Sequence, residues 1–455
     1  MAFLKREEGA VQPYIPLGVF QMRLPFVHLK WEWPEAIQAV FLNAVAFGAL
    51  PVLTECLGLP YEVCISMIAL QTMLYILHPL FGDPCMPGWI TPAIPLTLAF
   101  AAGFEPGPDR IHAVMALQYS MAFIFFFLGI TGLANKVVAI VPSSLRAGIL
   151  LGAGIAAMVS VIQPGGRMDG KVISAMVATF VSYMLFFSAV YQRAMKKNRI
   201  LQAIANLGMV PGIALALIVG PLVGELQFPA IEWGFIDWKF GEAIRQCSVF
   251  AIGFPPIEYF IKALPMTIAA YIIAYGDFVF AETVVRDADH VRTDEKVAFN
   301  PARSNLISGF RNLFFATLAP YPTLCGPLWG GVQISITERY KQGRKQMDSV
   351  HSGIMSFSIA MAIGSILLPI VSGMKPVMPI AYIATLTIQA YGCCYMAMQM
   401  LKTREDMGVA SCMALFLAFK GAMWGLAAGI ILYFAIGIVK HENTVKIESG
   451  ESVSG

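Results

Sequence analysis

Residues 320–335 read PYPTLCGPLWGGVQIS, inside a chain whose other long apolar runs look like membrane spans. Pro320, Pro322, Gly326, Pro327, Gly330 and Gly331 crowd this one stretch. Proline removes a backbone donor and glycine weakens a helix interior, so the segment predicts an interrupted helix. In hydrocarbon, every backbone polar group needs an internal partner. A break is tolerable only where it is buried in protein, lines a wet cavity or meets a ligand. The stretch therefore predicts an extended piece over 320–326. A half-helix follows from near Pro327, whose missing N–H costs nothing in a first turn.

A second segment has the same character. Residues 86–104, MPGWITPAIPLTLAFAAGF, predict an extended piece over 87–91 and a half-helix from Pro92. The surrounding composition is that of a membrane protein: 57% of residues are hydrophobic, 13% are charged, and mean hydropathy is +0.68. A soluble domain is nearer half apolar and about a quarter charged. A spanning helix needs about 20 mostly apolar residues. Continuous candidates lie near 34–54, 61–81, 112–133, 141–162, 172–192, 202–224, 265–285, 303–319, 350–371, 377–400, 407–420 and 421–439. With the two broken segments the expectation is fourteen membrane passages.

Loop charges support that count. With the N-terminus taken as cytoplasmic, the inside loops hold Lys136, QRAMKKNR at 192–199, Arg286, Arg292, Lys296 and Arg303. They also hold ERYKQGRK at 338–345, Lys402, Arg404 and Lys440. Outside loops hold scattered cations such as Arg110, Arg167, Lys171 and Lys375. This is the positive-inside bias. The reading divides the chain into a cytoplasmic segment 1–33, a seven-span repeat 34–225, an outside connector 226–264, a second repeat 265–440 and a cytoplasmic tail 441–455. Seven is odd, so the second repeat enters the membrane inverted. The broken segments are the third span of each half, and interruptions at matching positions point to a transporter's binding site.

The fold class expected is therefore an all-α polytopic membrane protein in two inverted repeats. Each half-helix directs its positive dipole end inward, which favours an anion or a strong acceptor between them. The candidate substrate-binding residues are Trp89, Thr91, Pro92, Tyr275, Asp277, Thr323, Cys325, Gly326, Trp329 and Gly330. Gly326 and Gly330 are read as letting a ligand approach the backbone. Asp277 and Glu282 are the candidates for ion coupling, because an intramembrane carboxylate is costly and usually functional. The alternatives are a structural acceptor at Asp277 and a snorkelling side chain at Glu282. Arg311 is a midspan cation expected to pair with a carboxylate, Asp277 among them. Glu55 reads as an outer-interface residue, Asp83 as a turn residue, Arg146 as structural or lipid-facing, and Lys420 as solvated.

Other classes find no support in the sequence. The six histidines show no metal-ligand pair, and there is no phosphate-binding Gly-Lys motif and no H-E-x-x-H. No basic stripe interleaved with aromatics points to nucleic acid. The eight cysteines, including Cys64, Cys247, Cys393, Cys394 and Cys412, read as small buried hydrophobes rather than a zinc or disulfide framework. The N-terminus lacks the features of a cleavable signal. A membrane enzyme is not expected, and no cofactor beyond a coupling H⁺ or Na⁺ is.

Two stretches carry a family resemblance. VPSSLRAGILLGAGIAAM at 141–158 resembles the fifth span of azaguanine-type purine permeases. AYGDFVFAETV at 274–284 resembles the eighth-span segment of nucleobase–ascorbate transporters. The broken third and tenth spans resemble the same superfamily, shared with sulfate permeases and bicarbonate transporters. The resemblance implies a mobile core domain and a gate domain, with substrate held between spans 3 and 10. It also implies elevator-type transport by a homodimer in the plasma (inner) membrane, with both termini cytoplasmic. The sequence departs from the nucleobase pattern at two places. Ile273, Ala274 and Tyr275 precede Gly276 where a glutamate is usual, and the tenth-span break offers no carboxylate or amide before Gln333. Sulfate permeases carry a large C-terminal domain, whereas this chain ends about fifteen residues after Lys440. The expected solute is a nucleobase-like heterocycle or a small organic anion. The alternative is an inorganic-anion transporter or anion channel.

Overall fold

A computed structural model describes Leu4, residues 6–133, 141–195 and 209–436, and four single positions between the last two ranges. Lys136, Lys440, part of 192–199 and the tail 441–455 lie outside the described residues. The chain is mostly helical with no closed sheet, and its four described strands form two short ribbons. Six helices are long and apolar enough to cross a membrane: Trp33–Leu57, Tyr61–Leu80, Pro108–Thr131, Ser143–Ile162, Ile257–Val291 and Leu368–Met400. Thr91–Ala102, Val172–Phe187, Val210–Leu222, Val350–Ile366 and Ala422–Ile436 are apolar but shorter.

Pro301–Leu318 and Arg404–Lys420 belong to neither group, although sequence reading treats both as spans. In Pro301–Leu318 the reason is plain. Arg303, Ser304, Asn305, Ser308, Arg311 and Asn312 all turn inward, so its low hydropathy reflects a polar face buried against protein. The helix expected to start at Pro265 starts at Ile257 and carries Pro265 inside it. At about 1.5 Å per residue it is about 50 Å long, longer than a hydrocarbon core. A single missing hydrogen bond is tolerated because neighbouring helices pack along its length.

The helices pack into two groups. Trp33–Phe47, Tyr61–Met73, Pro108–Thr131, Ile257–Val291, Pro301–Leu318, Gly330–Lys341 and Val350–Ile366 contact one another. Ser143–Ile162, Val172–Phe187, Val210–Leu222, Met378–Met400, Arg404–Lys420 and Ala422–Ile436 form the other group. The glycine-rich motif at 141–158 explains part of the second. A Cβ on Gly148 would lie 2.7 Å from the Met413 sulfur, and one on Gly152 would lie 3.0 Å from the Ala414 carbonyl. Small residues there let three helices approach closely.

The N-terminal segment is an ordered cap. β1 (Ile15–Leu17) and β2 (Phe20–Met22) form an antiparallel hairpin. Its end is tied to the turn after Tyr61–Leu80 through Gln21 N–H to Phe81 O and Arg23 N–H to Leu80 O. Upstream, Gly9 N–H donates to Asp294 O, and Lys296 N–H donates to Ala10 O. The described cysteines are all free. Six are buried, whereas Cys394 is half-buried and Cys412 is exposed, because its helix face turns outward from the bundle.

Candidate functional site

The two broken segments meet. β3 (Gly88–Trp89) pairs antiparallel with β4 (Cys325–Gly326), in the register Gly88 with Gly326 and Trp89 with Cys325. Ile90 N–H donates to Leu324 O at 3.2 Å, and Trp329 N–H donates to Met86 O at 2.7 Å. Leu324 takes a left-handed φ of 54°, uncommon for a non-glycine residue. A Cβ on Gly326 would stand 2.7 Å from the Trp89 carbonyl carbon, and one on Gly88 would stand 2.7 Å from Leu328 O. Gly326 is thus required by strand crossing, not by ligand approach as the sequence reading has it.

Fully buried polar side chains close the remaining backbone bonds. Arg311 donates to Gly326 O at 2.9 Å and to Gly88 O at 3.2 Å, so one guanidinium holds both breaks. Its Nη1 lies 3.2 Å from His78 Nε2, and its plane sits 5.0 Å from the Tyr75 ring. His78 Nδ1 lies 2.7 Å from Asp83 Oδ2. Asn312 donates to Cys325 O and accepts from Cys325 N–H. Gln118 accepts from Tyr321 N–H; Gln333 accepts from Met86 N–H and donates to Pro84 O. This corrects two expectations. Arg311 pairs with backbone carbonyls and His78 rather than with Asp277, because the breaks expose acceptors a cation can satisfy. Asp83 is fully buried against His78 rather than an exposed turn residue.

Beyond the crossing both chains become helical. One runs as a 3₁₀ turn at Thr91–Ala93 into Ile94–Ala102, as expected around Pro92. The other begins at Gly330 rather than near Pro327, because residues 325–329 are used by β4 and by the Trp329–Met86 bond. First-turn N–H groups have no intrahelical partner. Both helix starts border one cavity of about 320 Å³, through Trp89, Thr91 and Pro92 on one side and Trp329, Gly330 and Gly331 on the other. Asp277 and Gly276 reach the same cavity from Ile257–Val291, and Thr385 and Gln389 from Met378–Met400. Phe186 and Phe187 line it from the second helix group. Among the described lining residues, Asp277 is the sole carboxylate and no Lys or Arg is present.

The sequence candidates thus divide. Trp89, Thr91, Pro92, Asp277, Trp329 and Gly330 line the cavity. Asp277 is half-buried, and neither a hydrogen bond nor an ion pair engages its carboxylate among the described residues. Thr323 and Cys325 lie behind the crossing, fully buried. The Cys325 sulfur lies 3.5 Å from the Gln71 amide. Tyr275 packs in the core beside Ser143–Ile162. Glu282 pairs with Arg286 one turn on, 2.6 Å apart, away from the cavity. Sequence reading missed Thr385, Gln389, Phe186 and Phe187, which have no local signal. It also missed the scaffold of Gln118, Asn312 and His78, which had one: polar side chains inside apolar spans. A wider cavity of about 800 Å³ lies at the far end of Ile94–Ala102. There Glu55 is held by Arg167, whose guanidinium sits 4.8 Å from the Tyr382 ring.

The two glycines separate scaffold from cavity. Gly326→Ala is expected to destabilise the fold by roughly 1–3 kcal/mol, because the added Cβ meets rigid backbone. Gly330→Ala meets only Phe280 at 3.5 Å, an ordinary contact. It should melt like wild type yet bind solute more weakly. Thermal melts of the two purified variants check this, and equal melting points would mean that the crossing is loose.

No family model matches the sequence, and no curated protein matches it. Solved structures do. The transmembrane domain of the cyanobacterium bicarbonate transporter BicA aligns at TM-score 0.51 and 12% identity, over 87% of this chain and 97% of that one. The SLC26A9 structure aligns at TM-score 0.53 and 14% identity, over 90% of this chain and 65% of that one. The chain has their fold. The resemblance had placed it in a superfamily that includes bicarbonate transporters, and the BicA fold agrees with that wider grouping. This fold is also where two unrelated-looking stretches, residues 86–104 and 320–335, become one structural unit.

Proposed function

We propose that the chain is a secondary transporter that carries a small anion together with a cation, H⁺ or Na⁺, taken up at Asp277. The observation that carries this reading is the pairing of two helix N-termini with one unpartnered carboxylate in one cavity. The N-termini favour negative charge. The carboxylate opposes it. A monoanion seated roughly 6 Å from ionised Asp277 would be disfavoured by roughly 3 kcal/mol at an effective dielectric of about 20. A bound cation removes that penalty, so the two solutes bind best together, which is the thermodynamic requirement for symport.

The wider reading follows the sequence. Fourteen passages in two inverted repeats place both termini in the cytoplasm. The group containing the breaks moves as a core against the second group as a gate. With the cationic loops inside, the cavity extends toward the cytoplasmic face past Phe186 and Phe187. A homodimer in the plasma membrane completes the proposal. BicA is described as a bicarbonate transporter, which favours an inorganic anion as cargo. A second reading, a planar heterocycle of nucleobase type, is favoured by the indoles of Trp89 and Trp329 at the two breaks.

Uptake by proteoliposomes tests the proposal. Bicarbonate, sulfate, chloride, uracil and xanthine are offered with and without an inward H⁺ or Na⁺ gradient. The expected result is accumulation of one anion above its equilibrium level only with a gradient. Flux that merely equilibrates would make the protein a channel, and uptake confined to uracil or xanthine would establish the second reading.

A further inference from the structure

The side chains behind the crossing form a chain of three: Asp83, His78 and Arg311, all fully buried. A guanidinium only donates hydrogen bonds, so the His78 Nε2 that faces Arg311 Nη1 at 3.2 Å has to be the bare, accepting nitrogen. A carboxylate only accepts, so the Nδ1 that lies 2.7 Å from Asp83 Oδ2 has to carry the proton. The two requirements agree on one neutral tautomer. The opposite tautomer sets a lone pair against the carboxylate and N–H against N–H, and both contacts are lost. An imidazolium keeps the first and loses the second.

We propose that Asp83 and His78 are positioning residues: Asp83 selects the His78 tautomer whose bare nitrogen orients Arg311 onto the carbonyls of Gly88 and Gly326. The main chain assists, since Asp83 N–H donates to His78 O at 2.8 Å and closes the turn that brings the two side chains together. Arg311 has no other fixed side-chain acceptor among the described residues. Without the imidazole its guanidinium is steered only by the carbonyls it is meant to hold. Those carbonyls belong to the residues next to Trp89 and two before Leu328, so any slack in Arg311 passes directly to the mouths of both half-helices. The inference is independent of which solute the cavity takes.

The test uses the full chain in lipid bilayers with ¹⁵N-labelled histidine, the His78 signals being assigned by their loss in His78→Gln. Solid-state NMR is expected to show His78 protonated at Nδ1 and unprotonated at Nε2. A proton on Nε2, in either a neutral or a charged ring, overturns the proposal whether or not any variant folds. A variant cycle tests the coupling. Asp83→Asn lets an amide N–H face Nδ1 and so favours the opposite tautomer. Hydrogen exchange across residues 84–93 and 321–330 should then speed up roughly tenfold, the size of one lost hydrogen bond to a charged group. In a His78→Gln background, whose amide oxygen accepts from Arg311 without any tautomer, Asp83→Asn should change exchange little. Wild-type exchange in the single variant, or equal acceleration in both backgrounds, would mean that Asp83 does not act through His78.

Discussion

Arg311→Met is expected to yield almost no folded protein. The substitution keeps most of the side-chain volume and removes every donor. It leaves the carbonyls of Gly88 and Gly326 and the bare nitrogen of His78 buried without partners. Each such orphan costs about 1–3 kcal/mol, so the three together cost roughly 3–9 kcal/mol. A folded protein has about 5–15 kcal/mol in hand, so the variant sits at or beyond the edge of stability. The loss is concentrated where two helices have already given up their internal bonds, and no water is available to substitute inside the packed crossing. Arg311→Lys should fall between the two, because an ammonium reaches acceptors as a single point and lacks the planar fork that spans two of them. The check is the monodisperse fraction in size-exclusion chromatography together with the thermal melt. An Arg311→Met variant that elutes and melts like wild type would show that the breaks are held by packing alone.

That prediction did not arise from the sequence, and the reason is physical. Composition exposes what is expensive in a membrane: helix breakers at 320–335 and 86–104, a carboxylate at Asp277, a cation at Arg311. Each expense marks a place where something must compensate. The pairing of Gly88 with Gly326 joins residues far apart in the chain, and nothing local encodes it. Hence Arg311 was given a carboxylate partner, the usual partner of a buried cation, when the nearest unpaired acceptors were main-chain carbonyls. Gly326 was given a ligand, the other reason for a bare backbone, when another strand lay there. Thr323 and Cys325 share the break with Gly330 but lie on its protein side, and strand alternation over so short a ribbon is too weak a signal to assign a face. Hydropathy failed in the same way at Pro301–Leu318: it measures a helix's average environment and cannot separate a polar face turned to water from one turned to partners. What the sequence did establish rests on period and punctuation. The two interrupted segments, their matching places in the halves and the half-helix beginning at Pro92 all follow from proline and glycine chemistry.

Asp277→Asn is expected to abolish cation-driven accumulation while leaving the protein folded and still able to exchange anion for anion. The side chain faces a cavity and makes no hydrogen bond or ion pair among the described residues, so its replacement by a neutral amide of the same shape removes no contact that the fold uses. What changes is the charge. In wild type the carboxylate disfavours the anion until H⁺ or Na⁺ neutralises it, a penalty of roughly 3 kcal/mol at an effective dielectric of about 20, or about a hundredfold in affinity. The amide is permanently neutral. Anion affinity in the variant should therefore match that of cation-loaded wild type and should no longer respond to pH or Na⁺. Binding and coupling thus move in opposite directions, which a merely damaged site would not produce. Counterflow of labelled anion in proteoliposomes reads the first, and gradient-driven uptake reads the second. If gradient-driven uptake persists in Asp277→Asn, the cation binds elsewhere. If counterflow is lost with it, Asp277 contacts the anion's own ligand shell, and the neutralisation argument fails.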